Sequence, residues 1–237
     1  MFDGMLITAL AVGFVLGLRH ALDPDHIVAV STIVSECKSL RRSSLVGTFW
    51  GLGHTFSLLV VGLGVIALKL NLTERVAAWM EFAVAVMLVG LGVKAVATAL
   101  RGWKLHAHKH QHGGPPHVHL HVHKPGGAQN HQHRHILGLG TKPFLVGMVH
   151  GLAGSAALMI LVVATIPSAV AGLIYIAVFG VGSVGGMLLM SSVISLPFLL
   201  TGGRLSVVGR VLHMLVGMFS VGFGIYLMSQ YGQLFGM

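Results

Sequence analysis

Residues 19–27 read RHALDPDHI, and they lie inside an apolar run that extends from residue 5 to about residue 34. The run is long enough to cross a bilayer, which takes about 20 mostly apolar residues. Charged groups inside a membrane are costly unless they are paired or hydrated, and they usually mark a functional site. Pro24 lacks an amide hydrogen and clashes with the carbonyl four residues earlier, so a helix should kink or break there. The sequence therefore predicts a broken first membrane helix with a polar site at the break.

The composition of the whole chain is that of a membrane protein. Hydrophobic residues make up 54% of the 237 residues and charged residues 9%, whereas a soluble domain carries roughly 25% charged residues. This balance excludes a soluble enzyme, a disordered tail, a coiled coil and a disulfide scaffold. We expect an all-α bundle of six membrane-spanning helices without a prosthetic group. Their predicted ranges are 5–34, 44–68, 76–100, 144–166, 169–200 and 205–228.

Lysine and arginine residues concentrate in the connections after the first, third and fifth predicted helices. Cytoplasmic loops of membrane proteins carry such an excess, which sets the orientation of the chain. We therefore expect both termini outside and the connection after the third helix in the cytoplasm, in the inner membrane of a bacterium or archaeon. The formal net charge of +9 is then an orientation signal and does not indicate binding of nucleic acid.

The two halves of the chain resemble each other in three short motifs, and the three pairs agree on nearly the same alignment of one half with the other. The pairs are GLRHAL at 17–22 with GMVHGL at 147–152, GLGH at 51–54 with GVGS at 180–183, and VGLGV at 89–93 with VGFGI at 221–225. Because each half would hold three helices, an odd number, the second half must be inserted upside down. Inverted repeats that meet at a binding site are a transporter architecture. The expected units are a first repeat over residues 1–100, a histidine-rich loop over 101–142 and a second repeat over 143–237.

The break in the first helix would gather side chains that bind divalent metal ions. A helix places His20, Asp23 and His26, which are three residues apart, on one side. Unwound backbone inside a membrane is tolerated only where it lines a cavity, so Asp25 and the freed carbonyl of His20 should face the same cavity. Imidazole and carboxylate ligands suit nickel, cobalt, copper or zinc. The alternative is a salt bridge at the membrane boundary, for instance between Arg19 and Asp23.

Two further histidines lie within other predicted helices. His54 is in the middle of the second helix and is the expected additional ligand from a facing helix. His150 is the counterpart of His20 in the repeat and is a further candidate ligand, although Ala153 and Ser155 replace the two aspartates there. The alternative for each is a structural histidine that is hydrogen-bonded to neighbouring backbone.

A family resemblance rests on these motifs. RHALDPDHI at 19–27 resembles the signature of the nickel/cobalt transporter family, and GLGHT at 51–55 resembles the second motif of that family. The short, six-span length looks more like the branch of urease-accessory nickel permeases. The resemblance implies transport of divalent nickel or cobalt as substrate, with uptake as the preferred direction and efflux as the alternative. The residues that it assigns to the metal are His20, Asp23, Asp25, His26 and His54.

The predicted cytoplasmic loop holds three His-x-His arrays. They consist of His106, His108, His110 and His112, then His117, His119, His121 and His123, then His131, His133 and His135. Intervening glycines and prolines disfavour a regular helix, so we expect a flexible polar loop. A histidine side chain that titrates near pH 6.5 is mostly neutral at pH 7 and can bind metal. The loop therefore predicts metal buffering or delivery, with pH sensing or a plain spacer as alternatives.

The predicted function is a secondary transporter, because the sequence has no GxxxxGK[ST] phosphate-binding loop for nucleotide hydrolysis. Two other classes stay open. An intramembrane metalloenzyme would also place histidines and carboxylates in helices, although the chain has no HExxH zinc motif. A membrane-anchored metal sensor would use the histidine-rich loop. The expected partners are a divalent metal ion, the lipid bilayer and cytoplasmic metal chaperones.

Overall fold

The computed structural model describes residues 2–37, 39–68, 73–101, 105–110, 117–122, 136–152, 168–201 and 206–232. Seven helices lie within these ranges. They are α1 (Phe2–His20), α2 (Pro24–Val34), α3 (Leu40–Leu68), α4 (Glu74–Arg101), α5 (Ile136–Gly151), α6 (Ala169–Thr201) and α7 (Ser206–Gly232). Two antiparallel strands, β1 (Leu105–His110) and β2 (His117–Val122), lie in the connection between α4 and α5.

Four of these helices are long and apolar enough to cross a membrane, and the bent pair α1–α2 adds a fifth when it is counted as one span. The four spans are Leu40–Val65, Glu74–Leu100, Ala169–Thr201 and Val207–Gly232. They match the second, third, fifth and sixth predicted helices. The chain is therefore an integral membrane protein built from helices.

The fourth predicted helix differs from the expectation at its start. Helix α5 begins at Ile136 and continues through Pro143, whereas the sequence predicted a start at residue 144. A proline is tolerated inside a membrane helix where neighbouring helices and side chains satisfy the freed backbone groups. The rest of the predicted range, residues 153–166, lies outside the described residues.

The first predicted span is broken next to Pro24. Helix α1 ends at His20 and α2 begins at Pro24, with a bend of 54° between them. Asp23 precedes α2 in an extended conformation, with φ −62° and ψ 144°. The carbonyl of His20 was expected to be free, and this expectation is wrong, because it accepts a hydrogen bond from the amide of Asp23 at 3.1 Å. The turn thus satisfies the backbone group that Pro24 would otherwise leave without a partner.

Helix pairs pack at short distances in the centre of the bundle. Helix α1 packs on α6, α5 packs on α3, and α4 packs on α7. A Cβ at Gly17 would collide with the carbonyl oxygen of Phe179, and one at Gly147 would collide with that of Trp50. Small residues allow this approach in lipid, where no hydrophobic effect drives helices together. These contacts hold α1 against α6 and α5 against α3.

The far end of α2 is held by an ion pair. Lys94 Nζ on α4 donates hydrogen bonds to Glu36 Oε1 at 2.9 Å and to Glu36 Oε2 at 3.1 Å. Before this pair along the chain, α2 packs into the main buried cluster, which includes Val30 and Leu88. The ion pair and these apolar contacts therefore hold the short helix after the break.

The histidine-rich connection contains a regular hairpin. His106 lies opposite His121, His108 opposite His119, and His110 opposite His117. The sequence predicted an irregular loop here, yet alternation of histidine with other residues has the two-residue period of a strand. The Gly-Gly-Pro-Pro segment at 113–116 falls between the two strands.

Candidate metal centre

Three imidazole rings converge at the break between α1 and α2. His20 is the last residue of α1, His26 lies in the first turn of α2, and His54 lies in the middle of α3. One ring nitrogen from each residue lies within 4.8 Å of the other two. The ring centroids of His20 and His26 are 4.5 Å apart, and those of His20 and His54 are 5.0 Å apart. The three rings are therefore close enough for one metal ion to bind between them.

A second group of ligands adjoins the first and includes the second half of the chain. Asp25, His26 and His150 each place a ligand atom within 4.8 Å of the other two. His150 Nε2 donates a hydrogen bond to Asp25 Oδ2 at 2.9 Å, and His26 Nδ1 donates to Asp25 Oδ1 at 3.3 Å. Among the described residues, His26 is the one member that both groups share.

Three of the four histidines in these groups are enclosed by protein. His26, His54 and His150 are 1%, 0% and 2% exposed. Neither ring nitrogen of His54 has a hydrogen-bond partner in the described part of the chain. The Nε2 atoms of His20 and His26 also have none there, nor has Nδ1 of His150. Buried polar atoms are nearly always paired, so this set of unpaired nitrogens indicates a site for a ligand that accepts their lone pairs.

Asp23 lies at the edge of the cluster. Its Oδ2 accepts a hydrogen bond from His20 Nδ1 at 2.6 Å, and its side chain is 48% exposed. The predicted alternative, a salt bridge with Arg19, is not present within the described ranges, where Asp23 pairs with His20 instead. A carboxylate bonded to the second nitrogen of a ligating histidine fixes the orientation and tautomer of the ring.

Aromatic side chains that the sequence analysis did not identify form the walls. The ring of Trp50 is nearly parallel to that of His26, at 17° and 5.6 Å, and its edge approaches His150 at 5.4 Å. The ring of Phe179 lies 5.6 Å from His20. Trp50 precedes His54 by one helical turn, which is the only sequence signal that could have pointed to it. Its buried Nε1 has no partner among the described residues.

The structure thus brings five of the six predicted metal residues into two adjoining groups and places Asp23 beside them. The donors are imidazole nitrogens and one carboxylate, Asp25. Such ligands bind divalent ions of the later first-row metals. The alternative of a histidine bonded to neighbouring backbone does not describe His150, whose Nε2 bonds to a carboxylate from α2.

No loop histidine among the described residues belongs to either ligand group. Six of the loop histidines fall on the two strands of the hairpin. His112, His123, His131, His133 and His135 lie outside the described residues.

A family model and several known proteins match this chain. The family model described as "NicO: High-affinity nickel-transport protein" matches residues 6–223. The urease accessory protein UreH of Bacillus sp. (strain TB-90) is 38% identical over 96% of this chain and 93% of its own length. Two chloroplast proteins of Arabidopsis thaliana, FOR GROWTH AND FERTILITY 2 and FOR GROWTH AND FERTILITY 1, are 28% and 29% identical over 77% and 76% of this chain. These matches cover 45% and 48% of the two plant proteins.

No solved structure matches the chain. The resemblance to the nickel/cobalt transporter family that residues 19–27 and 51–55 suggested is confirmed. The chain belongs to the NicO family of high-affinity nickel-transport proteins.

Proposed function

We propose that this protein carries divalent nickel, and cobalt as a second substrate, into the cell across the inner membrane. The metal binds to His20, Asp25, His26, His54 and His150, and Asp23 orients His20. The observation that carries the proposal is the set of buried imidazole nitrogens without hydrogen-bond partners, among the described residues, at the break of a membrane helix. In a chain of a nickel-transport family, a metal ion is the ligand that such nitrogens fit best.

The ligand chemistry supports nickel or cobalt over harder and softer ions. Calcium and magnesium prefer oxygen ligands, and monovalent copper prefers sulfur. The two groups offer imidazole nitrogens with one carboxylate and no thiolate. Cys37, the single cysteine, follows the end of α2 and does not belong to either group.

The binding groups lie between two inverted repeats, residues 1–100 and 143–237, of three helices each. Support comes from pairs of contacts between the halves. When each residue of one contact is replaced by its counterpart in the other half, the second contact of the pair results. A Cβ at Gly53 would collide with the carbonyl oxygen of Phe144, and a Cβ at Gly182 would collide with that of Phe14. The alignment of the sequence motifs makes Gly182 the counterpart of Gly53, and Phe144 the counterpart of Phe14.

A second symmetric pair of contacts lies between α4 and α7. A Cβ at Gly92 would lie 2.6 Å from the carbonyl oxygen of Gly217, and a Cβ at Gly224 would lie 2.9 Å from that of Ala85. The third motif pair aligns Gly92 with Gly224, and the same alignment continued toward the N-terminus pairs Ala85 with Gly217. Reciprocal contacts of this kind are expected of a pseudo-two-fold axis between the halves. Transporters with this symmetry expose a central site to each side in turn as the halves rock.

The orientation follows from the basic connections, with both termini outside and the histidine-rich loop in the cytoplasm. In this orientation the loop receives metal that has passed the membrane site, buffers it and delivers it to cytoplasmic metal chaperones. Six of its histidines occupy opposite positions in the register of the two strands. Opposite positions on antiparallel strands are near neighbours, so this register would suit pairs of histidines that share one ion.

Efflux is the second candidate, because a cytoplasmic histidine-rich loop could equally collect metal for export. Whole-cell accumulation and tolerance of nickel, measured with and without the gene, separate the two. Uptake raises nickel accumulation and sensitivity, whereas efflux lowers both. The result that rejects uptake is a lower nickel content in cells that express the protein.

The membrane site is tested in liposomes that contain the purified full-length protein. Radiolabelled nickel flux should collapse in His20→Ala and Asp25→Ala variants that remain folded and monodisperse. His213→Ala is the matched control, because His213 is a buried histidine of α7 that belongs to neither ligand group. Normal flux in both site variants would reject the assignment of the site.

A further inference from the structure

We propose that the metal site consists of two stations that share His26, and that each ion passes from one to the other during transport. The capture station is formed by His20, His26 and His54, and the release station by Asp25, His26 and His150. This inference rests on the proposed function and adds an order of events to it. It predicts that binding and transport can be separated by mutation.

The two ring nitrogens of His26 differ in their hydrogen bonding. Nδ1 donates a hydrogen bond to Asp25, a member of the release station, at 3.3 Å. Nε2 has no partner among the residues that the structure describes, which leaves it for the metal in the capture station. A histidine usually binds a metal through one ring nitrogen while the other is held by a neighbouring group. His26 can therefore hold an ion through Nε2 while Nδ1 keeps its proton, and through Nδ1 once that proton has moved to Nε2.

The two stations differ in their readiness for metal. In the capture station, Nε2 of His20 and both nitrogens of His54 have no hydrogen-bond partner within the described ranges. In the release station, Nδ1 of His150 also has no partner there, but both oxygens of Asp25 already accept hydrogen bonds, from His26 and from His150. The capture station is thus the readier of the two to accept an ion, because the carboxylate of the release station is engaged by its own contacts.

The proposed symmetry of the bundle relates the two stations. The motif pairs align His20 with His150, and they align the aromatic residues that precede the second pair, Trp50 and Phe179, with each other. The ring of His20 lies 5.6 Å from that of Phe179, and the ring of His150 lies 5.4 Å from that of Trp50. The proposed symmetry therefore relates His20 of the capture station to His150 of the release station. In an inverted-repeat transporter, this symmetry also relates the state open to one side to the state open to the other.

Exposure gives the order of the stations. The side chain of His20 is 11% exposed, and that of Asp23, to which it is bonded, is 48% exposed. In the release station the side chain of His150 is 1% exposed and that of Asp25 is 29% exposed. The pair at the capture station is therefore the more exposed one, and the proposed order places His20 before His150.

The test compares equilibrium binding with flux in variants that each disable one station. The protein is the full-length chain with the eleven loop histidines replaced by glutamine, so that the loop does not contribute to nickel binding. His54→Gln disables the capture station, and nickel affinity should fall at least about tenfold. His150→Gln disables the release station, and affinity should be retained while flux into liposomes falls at least about tenfold. Asp25→Asn is a second release-station variant that keeps the size of the side chain, and it should reproduce the His150→Gln result.

Two results would overturn the two-station mechanism. If His54→Gln and His150→Gln weaken binding equally and flux falls only in proportion to occupancy, the residues form one composite site. If His150→Gln loses binding while His54→Gln retains it, the order of the stations is wrong. His26→Gln tests the proposed function separately, because normal binding and flux in this variant would reject the site as a whole.

Discussion

His150 Nε2 lies 2.9 Å from Asp25 Oδ2, so a side chain of α5 is hydrogen-bonded to the first turn of α2. The two residues belong to opposite halves of the proposed repeat and are far apart in the chain. Asp25 also accepts a hydrogen bond from His26. One carboxylate therefore joins the short helix after the break to the second half of the bundle. Any rocking of one half against the other must change this contact, which couples the site to the movement.

Asp23 should act on the metal through His20. In Asp23→Asn, the second nitrogen of His20 loses its carboxylate partner, and nickel affinity should fall roughly 10-fold to 100-fold. The melting temperature in detergent should change little, because the Asp23 side chain is 48% exposed. Equilibrium binding of radiolabelled nickel measures the effect, and Asp23→Glu should restore part of the affinity. Unchanged affinity in Asp23→Asn would show that this carboxylate does not orient the ligand.

The close approach of α5 to α3 should tolerate no side chain at Gly147. An added Cβ would collide with the carbonyl oxygen of Trp50, and overpacking of this kind costs about 1–3 kcal/mol. Gly147→Ala should therefore lower the melting temperature and the nickel flux, since His150 lies one turn away. Gly90→Ala is the control, because no atom lies within 4 Å of its added Cβ. Equal stability of the two variants would contradict this packing.

The proposed orientation can be tested by thiol labelling. Burial raises the pKa of the Cys37 thiol, so little thiolate is present at neutral pH and the native cysteine should react slowly. On a Cys37→Ser background, Thr73→Cys should react with a membrane-impermeant maleimide in intact cells. Gln129→Cys in the histidine-rich loop should react only after the cells are permeabilised. The opposite pattern would reverse the assignment of the two sides.

The histidine-rich loop should bind metal without being needed for passage. Deletion of residues 106–135 should leave nickel flux in liposomes in place while lowering the number of ions that the protein binds. His108 and His119 lie opposite each other on the strands, so their alanine substitutions should be strongly non-additive in nickel affinity. His131 and His133 provide the comparison pair. Complete loss of flux on deletion would contradict this prediction and show that passage of the metal requires the loop.

The sequence predicted the parts of this site that are close in the chain. His20, Asp23 and His26 could be placed together because Pro24 fixes the break and helical spacing fixes their separation. The contact between His150 and Asp25 could not be derived in this way, because it depends on how α5 packs against the break. The repeat pointed to His150 as the counterpart of His20, but spacing alone gave no distance to any ligand.

Other details depended on local competition for hydrogen bonds and on long-range packing. The His20 carbonyl is not free, because the turn before Pro24 lets the amide of Asp23 reach it. Trp50 could not be recognised as a wall of the site, because a tryptophan in an apolar helix is equally suited to face lipid or protein. The strands in the loop follow the two-residue period of the histidines, whereas the glycines and prolines between the arrays are typical of irregular loops.

Nickel flux through liposomes that contain the His26→Gln variant tests the central claim most directly. His26 is the residue that both ligand groups share, and it is buried between α1, α3 and α5. Flux should fall at least about 100-fold in this variant, because neither group keeps its three ligands. The matched control, His213→Gln, should transport nickel at the wild-type rate. Wild-type flux in a folded His26→Gln protein would contradict passage of the metal through this site.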